Sequence, residues 1–149
     1  MLQLNFPKYS FKVKTIENKR MIFDSFRGKY VPLTPEEWVR QNMVQFLVQE
    51  KKFPKSWISN EVTVELNQMR KRCDTVVFNK NSQPLLIAEY KAPNVAITQE
   101  TFDQIATYNF KLNVDYLIVS NGISHYCCKI NYADHKYVFY KEIPSFEML

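Results

Sequence analysis

Residues 71–91, KRCDTVVFNKNSQPLLIAEYK, contain two strand-like segments on either side of a polar turn. Residues 72–78 are predicted to form a strand, and residues 79–82 have the composition of a turn. Residues 85–88 are continuously apolar, which is typical of a central strand buried on both faces. The segment therefore predicts a hairpin whose second strand lies inside a larger sheet.

The sequence on both sides of this hairpin predicts helices and more strands. Thr34-Pro35-Glu36-Glu37 is a strong helix start, with threonine as the N-cap and proline at the first helical position, and this helix should end near Glu50. A second helix is expected at 100–112, and further strands at 21–23, 59–66, 116–119, 125–130 and 137–143. The predicted fold is mixed α/β: a central mixed β-sheet flanked by helices. Residues 1–149 should form a single domain, with 1–20 as an N-terminal arm or edge strand.

Composition limits the class of protein. Hydrophobic residues make up 46% of the chain and charged residues 23%, the balance of a soluble globular domain. The two glycines, Gly28 and Gly122, cannot form a P-loop or a dinucleotide fingerprint, which excludes a motor or ATPase activity. No apolar run is long enough to cross a membrane, and residues 1–9 do not resemble a signal peptide. We therefore expect a cytoplasmic protein with no membrane partner.

Two acidic residues interrupt the apolar strands of the hairpin. Asp74 lies within the first strand and Glu89 ends the second, and charges are costly in such places unless they are paired or bind a metal. If the strands pair, the two carboxylates meet and form a site for Mg²⁺, with the backbone carbonyl of Tyr90 as one more ligand. Lys91 projects to the same side as Glu89 because side chains alternate along a strand. The alternative is that Glu89 and Lys91 form a surface ion pair.

Such a site suits phosphodiester hydrolysis. Mg²⁺ held by Asp74 and Glu89 would lower the pKa of a bound water and polarise the phosphate. Lys91 could orient or deprotonate that water, or stabilise the charge that develops on phosphorus.

Four segments resemble a known family: residues 33–41, 71–74, 87–93 and 102–109. They are similar to the N-terminal nuclease domain of type I restriction enzyme R subunits, in a form also found as short stand-alone bacterial proteins. The resemblance implies a restriction-endonuclease-like core of the PD-(D/E)xK type that cuts DNA with Mg²⁺ (or Mn²⁺). Asp74 would be the motif aspartate, and Glu89 and Lys91 the acidic-x-lysine half. Cys73 replaces the motif proline, at a position that varies widely.

The resemblance also implies a glutamate on the first helix, either Glu36 or Glu37. Helical geometry favours Glu36, since it shares the apolar face with Arg40 and Met43. The alternative for both glutamates is complementation of the helix dipole in the first turn.

Several residues are expected to bind or position DNA. Gln104 and Tyr108 share a helix face and match a Gln-x-x-x-Tyr element beside the active site in related nucleases. The alternative is a solvent-facing glutamine and a core tyrosine. The basic residues expected to contact phosphates are Arg40, Arg70, Lys71 and Arg72. A lysine-rich surface that only contacts solvent would explain the net charge of +5 equally well.

The expected partners follow from the same resemblance. DNA is the substrate that it implies, and a separate motor or specificity subunit would supply what this chain lacks, since type I R subunits couple cleavage to an ATP-driven motor. A homodimer would make cutting of both strands easiest. The competing hypothesis is a nucleic-acid-binding or assembly module that keeps the nuclease fold without catalysing.

Cysteine and histidine have simpler interpretations. A zinc site from His125, Cys73, Cys127 and Cys128 lacks any CxxC spacing, so we expect the three cysteines to be core thiols. Cys127 and Cys128 should point to opposite faces of a strand. His125 and His135 are expected to be structural or surface residues rather than general bases.

Overall fold

The computed structural model of the protein describes residues 2–66 and 68–149. A six-stranded sheet holds the strands β4 (Ile58–Leu66), β5 (Met69–Phe78), β6 (Pro84–Tyr90), β7 (Tyr116–Ser120), β8 (His125–Asn131) and β9 (Lys136–Phe139), in that order across the sheet. All neighbours are antiparallel except β6 and β7. The helix α2 (Gln99–Leu112) connects β6 to β7, as parallel neighbours require. These strands and α2, with α1 (Pro35–Gln49), confirm the predicted mixed α/β fold.

The N-terminal region forms a small sheet of its own. Its strands β1 (Val13–Ile16), β2 (Lys19–Asp24) and β3 (Lys29–Pro32) pair antiparallel in sequence order. The strand β1 lies at the edge of this sheet, within residues 1–20, for which an arm or an edge strand is the expectation. The third strand was not predicted, because four residues with a lysine and a proline carry little strand signal.

Capping explains where both helices begin. The Thr34 side chain accepts a hydrogen bond from the Glu37 amide at 3.1 Å, and the Thr98 side chain accepts one from the Thr101 amide at 3.1 Å. The second helix ends at Asn113, whose φ of 59° is the left-handed conformation of a helix C-terminus. The observed bounds of both helices lie within one residue of the predicted ones. No helix in the described part of the chain is both long and apolar enough to cross a membrane.

Each face of the large sheet carries a hydrophobic core. On one face, β6 residues Leu86 and Ala88 pack with α1, whereas Ile87 packs on the face that carries α2. The continuous apolar run of β6 is therefore buried on both faces, as its sequence predicted. Cys127 belongs to the α1 core and Cys128 to the α2 core. All three cysteines are buried and free, which confirms that they are core thiols.

An irregularity in β4 and β5 interrupts this regular packing. The pairing runs from Asn60–Thr75 directly to Val62–Cys73, so that Glu61 and Asp74 are skipped, and Glu61 has a φ of 55°. The register is the same on both sides of this interruption, but the side chains of β5 change faces across it. Thr75 accordingly contacts the Tyr90 hydroxyl on the α1 side, while Cys73 packs in a core on the α2 side.

The same irregularity marks the point where β5 and β6 separate. Thr75–Ala88 is the last pair between them toward the N-terminus of β5 and the C-terminus of β6. Residues of β5 before Thr75 pair only with β4, and Glu89 and Tyr90 of β6 pair with β7. The gap between the two diverging strands is flanked by Asp74 and Glu89.

His125, a residue of β8, connects the N-terminal segment to the large sheet through a hydrogen bond and a ring contact. Its Nδ1 lies 2.7 Å from the Ser120 hydroxyl and its Nε2 lies 2.9 Å from the Asn5 carbonyl, while the Phe6 ring stacks at a centroid distance of 4.4 Å. Burial lowers the pKa of His125 below the ordinary 6.5, although the Asn5 carbonyl opposes that shift. His125 thus has the structural role expected for it, and His135 is exposed.

We expect His125 to titrate below pH 6.5 in an NMR titration of its imidazole ring. The unfolded chain then binds the proton more readily than the folded one. The contribution of His125 to the free energy of unfolding should therefore be fully present above pH 6.5 and should decrease as the pH falls toward the lower pKa of the folded state. Phe6→Ala, which uncovers the ring, should return the pKa toward its ordinary value. A wild-type His125 that titrates at or above 6.5 would contradict this interpretation.

Candidate active site

Asp74 and Glu89 face each other across the gap between β5 and β6. One Asp74 carboxylate oxygen, Oδ2, accepts a hydrogen bond from the Tyr90 amide at 2.9 Å, which fixes the side chain beside β6. Burial and the neighbouring Asp74 carboxylate together raise the pKa of Glu89 to about 7, although Lys71 opposes the shift. Two carboxylates that disfavour each other's charge form a site suited to a cation.

Two clefts open on either side of this carboxylate pair. The first, of about 140 Å³, lies beside the start of α1 and is lined by Thr34, Glu36, Glu37, Arg40, Glu61, Asp74 and Tyr90. The second, of about 250 Å³, lies beside α2 and is lined by Lys71, Glu89, Tyr90, Lys91, Gln104, Ile105 and Tyr108. Asp74 therefore borders the first cleft and Glu89 the second, and Tyr90 lines both.

Lys91 lies in the second cleft together with Glu89. Its amide donates to the Ser120 carbonyl at 2.9 Å, which extends the contact between the end of β6 and β7. In the described ranges the ion pair of Glu89 is made by Lys71, not by Lys91. The alternative of a Glu89–Lys91 surface ion pair is thus wrong, and the lysine ammonium is left available inside the cleft.

The first helix presents its two glutamates differently from the expectation. Glu36 is exposed, so the prediction that it shares the apolar face is wrong. Glu37 is the more buried of the two and is paired with Arg40 and, at 3.5 Å, with Arg27. Both residues line the first cleft, but only Glu36 is without an ion pair in the described part of the chain.

Arg40 was expected to contact DNA, and its placement contradicts this. Its side chain is 3% exposed, and its Nη2 lies 3.1 Å from Oδ2 of Asp24, a residue of β2. Glu37 accepts two further hydrogen bonds from the same guanidinium. Arg40 therefore links α1 to the small N-terminal sheet through buried charges.

The helix α2 presents Gln104 and Tyr108 to the second cleft. Both side chains are exposed. The alternative interpretation placed the tyrosine in the core, and the structure does not. Their spacing of one helical turn places them together beside Glu89 and Lys91.

Of the three basic residues 70–72, two are exposed to solvent and one lies in the site. Arg70 and Arg72 are 74% and 65% exposed, and they pair with Glu65 at 3.7 Å and Glu61 at 3.0 Å. Lys71 alone is turned inward, with 19% of its side chain exposed and its ammonium on Glu89.

The sequence alone does not fix the positions of two residues in this region. Glu61, which has a φ of 55°, lines the first cleft, and nothing in the sequence shows that strand pairing is interrupted at this glutamate. Lys71 was assigned to phosphate contacts, but it lies inward, on the far side of the same interruption.

The donor set fits a hard divalent cation. In the described ranges no cluster of three or more His, Cys, Asp or Glu side chains is placed to hold a metal ion. Mg²⁺, however, keeps several waters and needs only one or two carboxylates. Asp74 and Glu89 are two such carboxylates, and Glu89 already contacts a cation, the ammonium of Lys71.

A protein-family model described as the N terminus of the type I restriction enzyme R protein (HSDR_N) matches residues 35–144. The chain belongs to this family. The match begins at the first residue of α1, so the small N-terminal sheet lies outside it, whereas Asp74, Glu89, Lys91, Gln104 and Tyr108 all lie inside. No curated protein matches the sequence.

Two solved structures resemble this member of the R-protein family. One, from Anabaena variabilis ATCC 29413, is described as a candidate nuclease belonging to DUF820; it has a TM-score of 0.50 and 13% identity, with 97% of this chain and 88% of that chain covered. This likeness shows a shared fold. The other is a fragment of a candidate HsdR subunit of a type I restriction enzyme from Vibrio vulnificus YJ016, with a TM-score of 0.48 and 16% identity. That match covers 71% of this chain but only 23% of the fragment.

Proposed function

We propose that this chain is a DNA nuclease that depends on Mg²⁺ or Mn²⁺. The observation that carries the proposal is the meeting of Asp74 and Glu89 in the gap between β5 and β6, with Lys91 in the adjoining cleft. Membership in the R-protein N-terminus family supports the same conclusion.

The residues of the site divide the work of hydrolysis among them. Asp74, Glu89 and the Tyr90 carbonyl would hold the cation, which when bound activates water and polarises the phosphate. Lys91 orients the attacking water and stabilises the charge that develops on the phosphate. Glu36, exposed at the first cleft, can accept a hydrogen bond from a water there.

DNA would approach across the second cleft. Gln104 and Tyr108 line that cleft, and Arg70 and Arg72 stand exposed on the ribbon of β4 and β5. Exposed guanidinium groups contact phosphates without reading sequence, so this arrangement positions the backbone rather than selecting a base. A separate motor or specificity subunit and a second copy of this chain are further proposed partners, which light scattering with and without DNA would detect.

Metal binding tests the proposal directly. Wild-type protein should bind Mn²⁺ in a calorimetric titration, and Asp74→Ala should lose that binding because one of two carboxylates is gone. Plasmid and single-stranded DNA should be cut in the presence of the metal and left intact with a chelator. Metal binding that is absent from wild type, or unchanged in Asp74→Ala, would favour a non-catalytic binding or assembly module.

A further inference from the structure

Lys71 differs from the other basic residues of its ribbon. Its ammonium contacts Oε1 of Glu89, and its side chain is 19% exposed, against 74% for Arg70 and 65% for Arg72. A cation therefore already lies on a carboxylate that the proposed function assigns to the metal.

The irregular pairing at Glu61 and Asp74 explains this position. Regular alternation would place Lys71 with Thr75, on the α1 side of the sheet. Beyond the unpaired Glu61 and Asp74, however, Cys73 packs on the α2 side, and Lys71 lies on that side too, because it pairs with Val64 of the same core. This change of side places Lys71 in the cleft that holds Glu89.

Tyr108 forms the opposite wall of this position. The Lys71 ammonium lies 5.5 Å from the centre of the tyrosine ring, within the range of a cation–π interaction. Lys111, an exposed residue one turn further along α2, lies 6.0 Å from the same ring and has no ion pair with Glu89. Lys71 is therefore held by an anion and an aromatic face at once.

We propose that Lys71 is a resident counter-cation that the divalent metal displaces and that then binds the DNA phosphate. This inference rests on the proposed function, because it takes Glu89 as a metal ligand. An ammonium and a metal ion cannot share the same carboxylate oxygen without strong repulsion. When the metal binds, Lys71 loses its partner in a cleft that also contains Lys91, and the phosphate backbone is the anion that would replace it.

The exchange couples the two ligands. Metal binding releases a phosphate-binding group, so the metal should increase the affinity for DNA, and DNA should increase the affinity for metal by the same factor. Lys71 thus opposes metal binding when DNA is absent and supports it when DNA is present.

Calorimetric titration of the full chain with Mn²⁺ tests the inference. Lys71→Met should bind Mn²⁺ about five times more tightly than wild type, because the competing ion pair is removed. Lys111→Met, the matched control at the same tyrosine, should bind as wild type does, and Lys71→Arg, which keeps the charge, should also remain close to wild type. In fluorescence anisotropy with a short DNA duplex and Ca²⁺, the gain in DNA affinity caused by the metal should shrink in Lys71→Met.

A second measurement needs no variant. In wild-type protein labelled with ¹⁵N, the ammonium resonance of Lys71 should shift when Mg²⁺ is added, since its partner is taken. Equal or weaker Mn²⁺ affinity in Lys71→Met, or an ammonium resonance that does not change while Mg²⁺ binds, would overturn the inference and leave the proposed function standing. Absence of metal binding in wild type would overturn both.

Discussion

Lys91→Ala is expected to abolish DNA cleavage while the fold survives. The side chain lies in the cleft beside Glu89 without an ion pair in the described part of the chain, so its removal costs little stability. Loss of a positioned cation from a hydrolytic site typically reduces the rate by roughly 10²–10⁴-fold. Nicking of plasmid DNA and degradation of single-stranded DNA in Mn²⁺ would measure the loss, with the melting temperature as a check on folding.

The companion variants separate catalysis from metal binding. Asp74→Ala and Glu89→Ala should lose both cleavage and metal binding, whereas Lys91→Ala should lose cleavage and still bind Mn²⁺. Lys80→Ala is a matched control, because Lys80 is an exposed lysine in the turn that joins β5 to β6. Undiminished cleavage in all three site variants would rule out this assignment of the active site.

Arg40→Met should destabilise the protein strongly. The substitution leaves the Asp24 carboxylate, 1% exposed, with a neighbouring positive charge only from Arg27. Burial alone would raise the pKa of Asp24, but the hydrogen bond from Arg27 and the charge of Arg40 hold it below its ordinary value. Removing one partner of a buried ion pair costs about 3–5 kcal/mol, which for a domain of this size lowers the melting temperature by on the order of 10 °C.

Urea and thermal unfolding at neutral pH would measure this loss. Arg70→Met is the control, since Arg70 is exposed and pairs with Glu65 at 3.7 Å; such surface changes stay within about 0.5 kcal/mol. The double variant Asp24→Asn with Arg40→Met should recover part of the loss, because no buried carboxylate then remains at that position. Equal losses in Arg40→Met and Arg70→Met would contradict the structural role of Arg40.

Local sequence was sufficient for most elements and for the central pair of acids. The N-cap at Thr34, the apolar run of β6 and the turn at 79–82 are all signals within a few residues, and each was interpreted correctly. The prediction that Asp74 and Glu89 meet needed only that two adjacent segments form a hairpin.

The errors lie where long-range contacts decide. Lys71 lies inward beyond the interrupted pairing at Glu61 and Asp74, and the burial of Arg40 depends on Asp24 in another sheet. Helical periodicity favoured Glu36 because it reflects only the apolar residues of α1. In the structure Glu37 is the more buried glutamate because it pairs with the buried Arg40. A strand ending at Phe139 rather than near residue 143 shows the same limit.

The three buried thiols make the chain convenient for spectroscopic labelling. Burial raises the pKa of Cys73 to about 11 and that of Cys127 and Cys128 to about 12, so at neutral pH almost none of the reactive thiolate exists. A cysteine introduced at an exposed position such as Gln104 would then be the reactive one in an otherwise native sequence. A fluorophore or spin label attached there would lie at the mouth of the cleft and report on the arrival of DNA in real time.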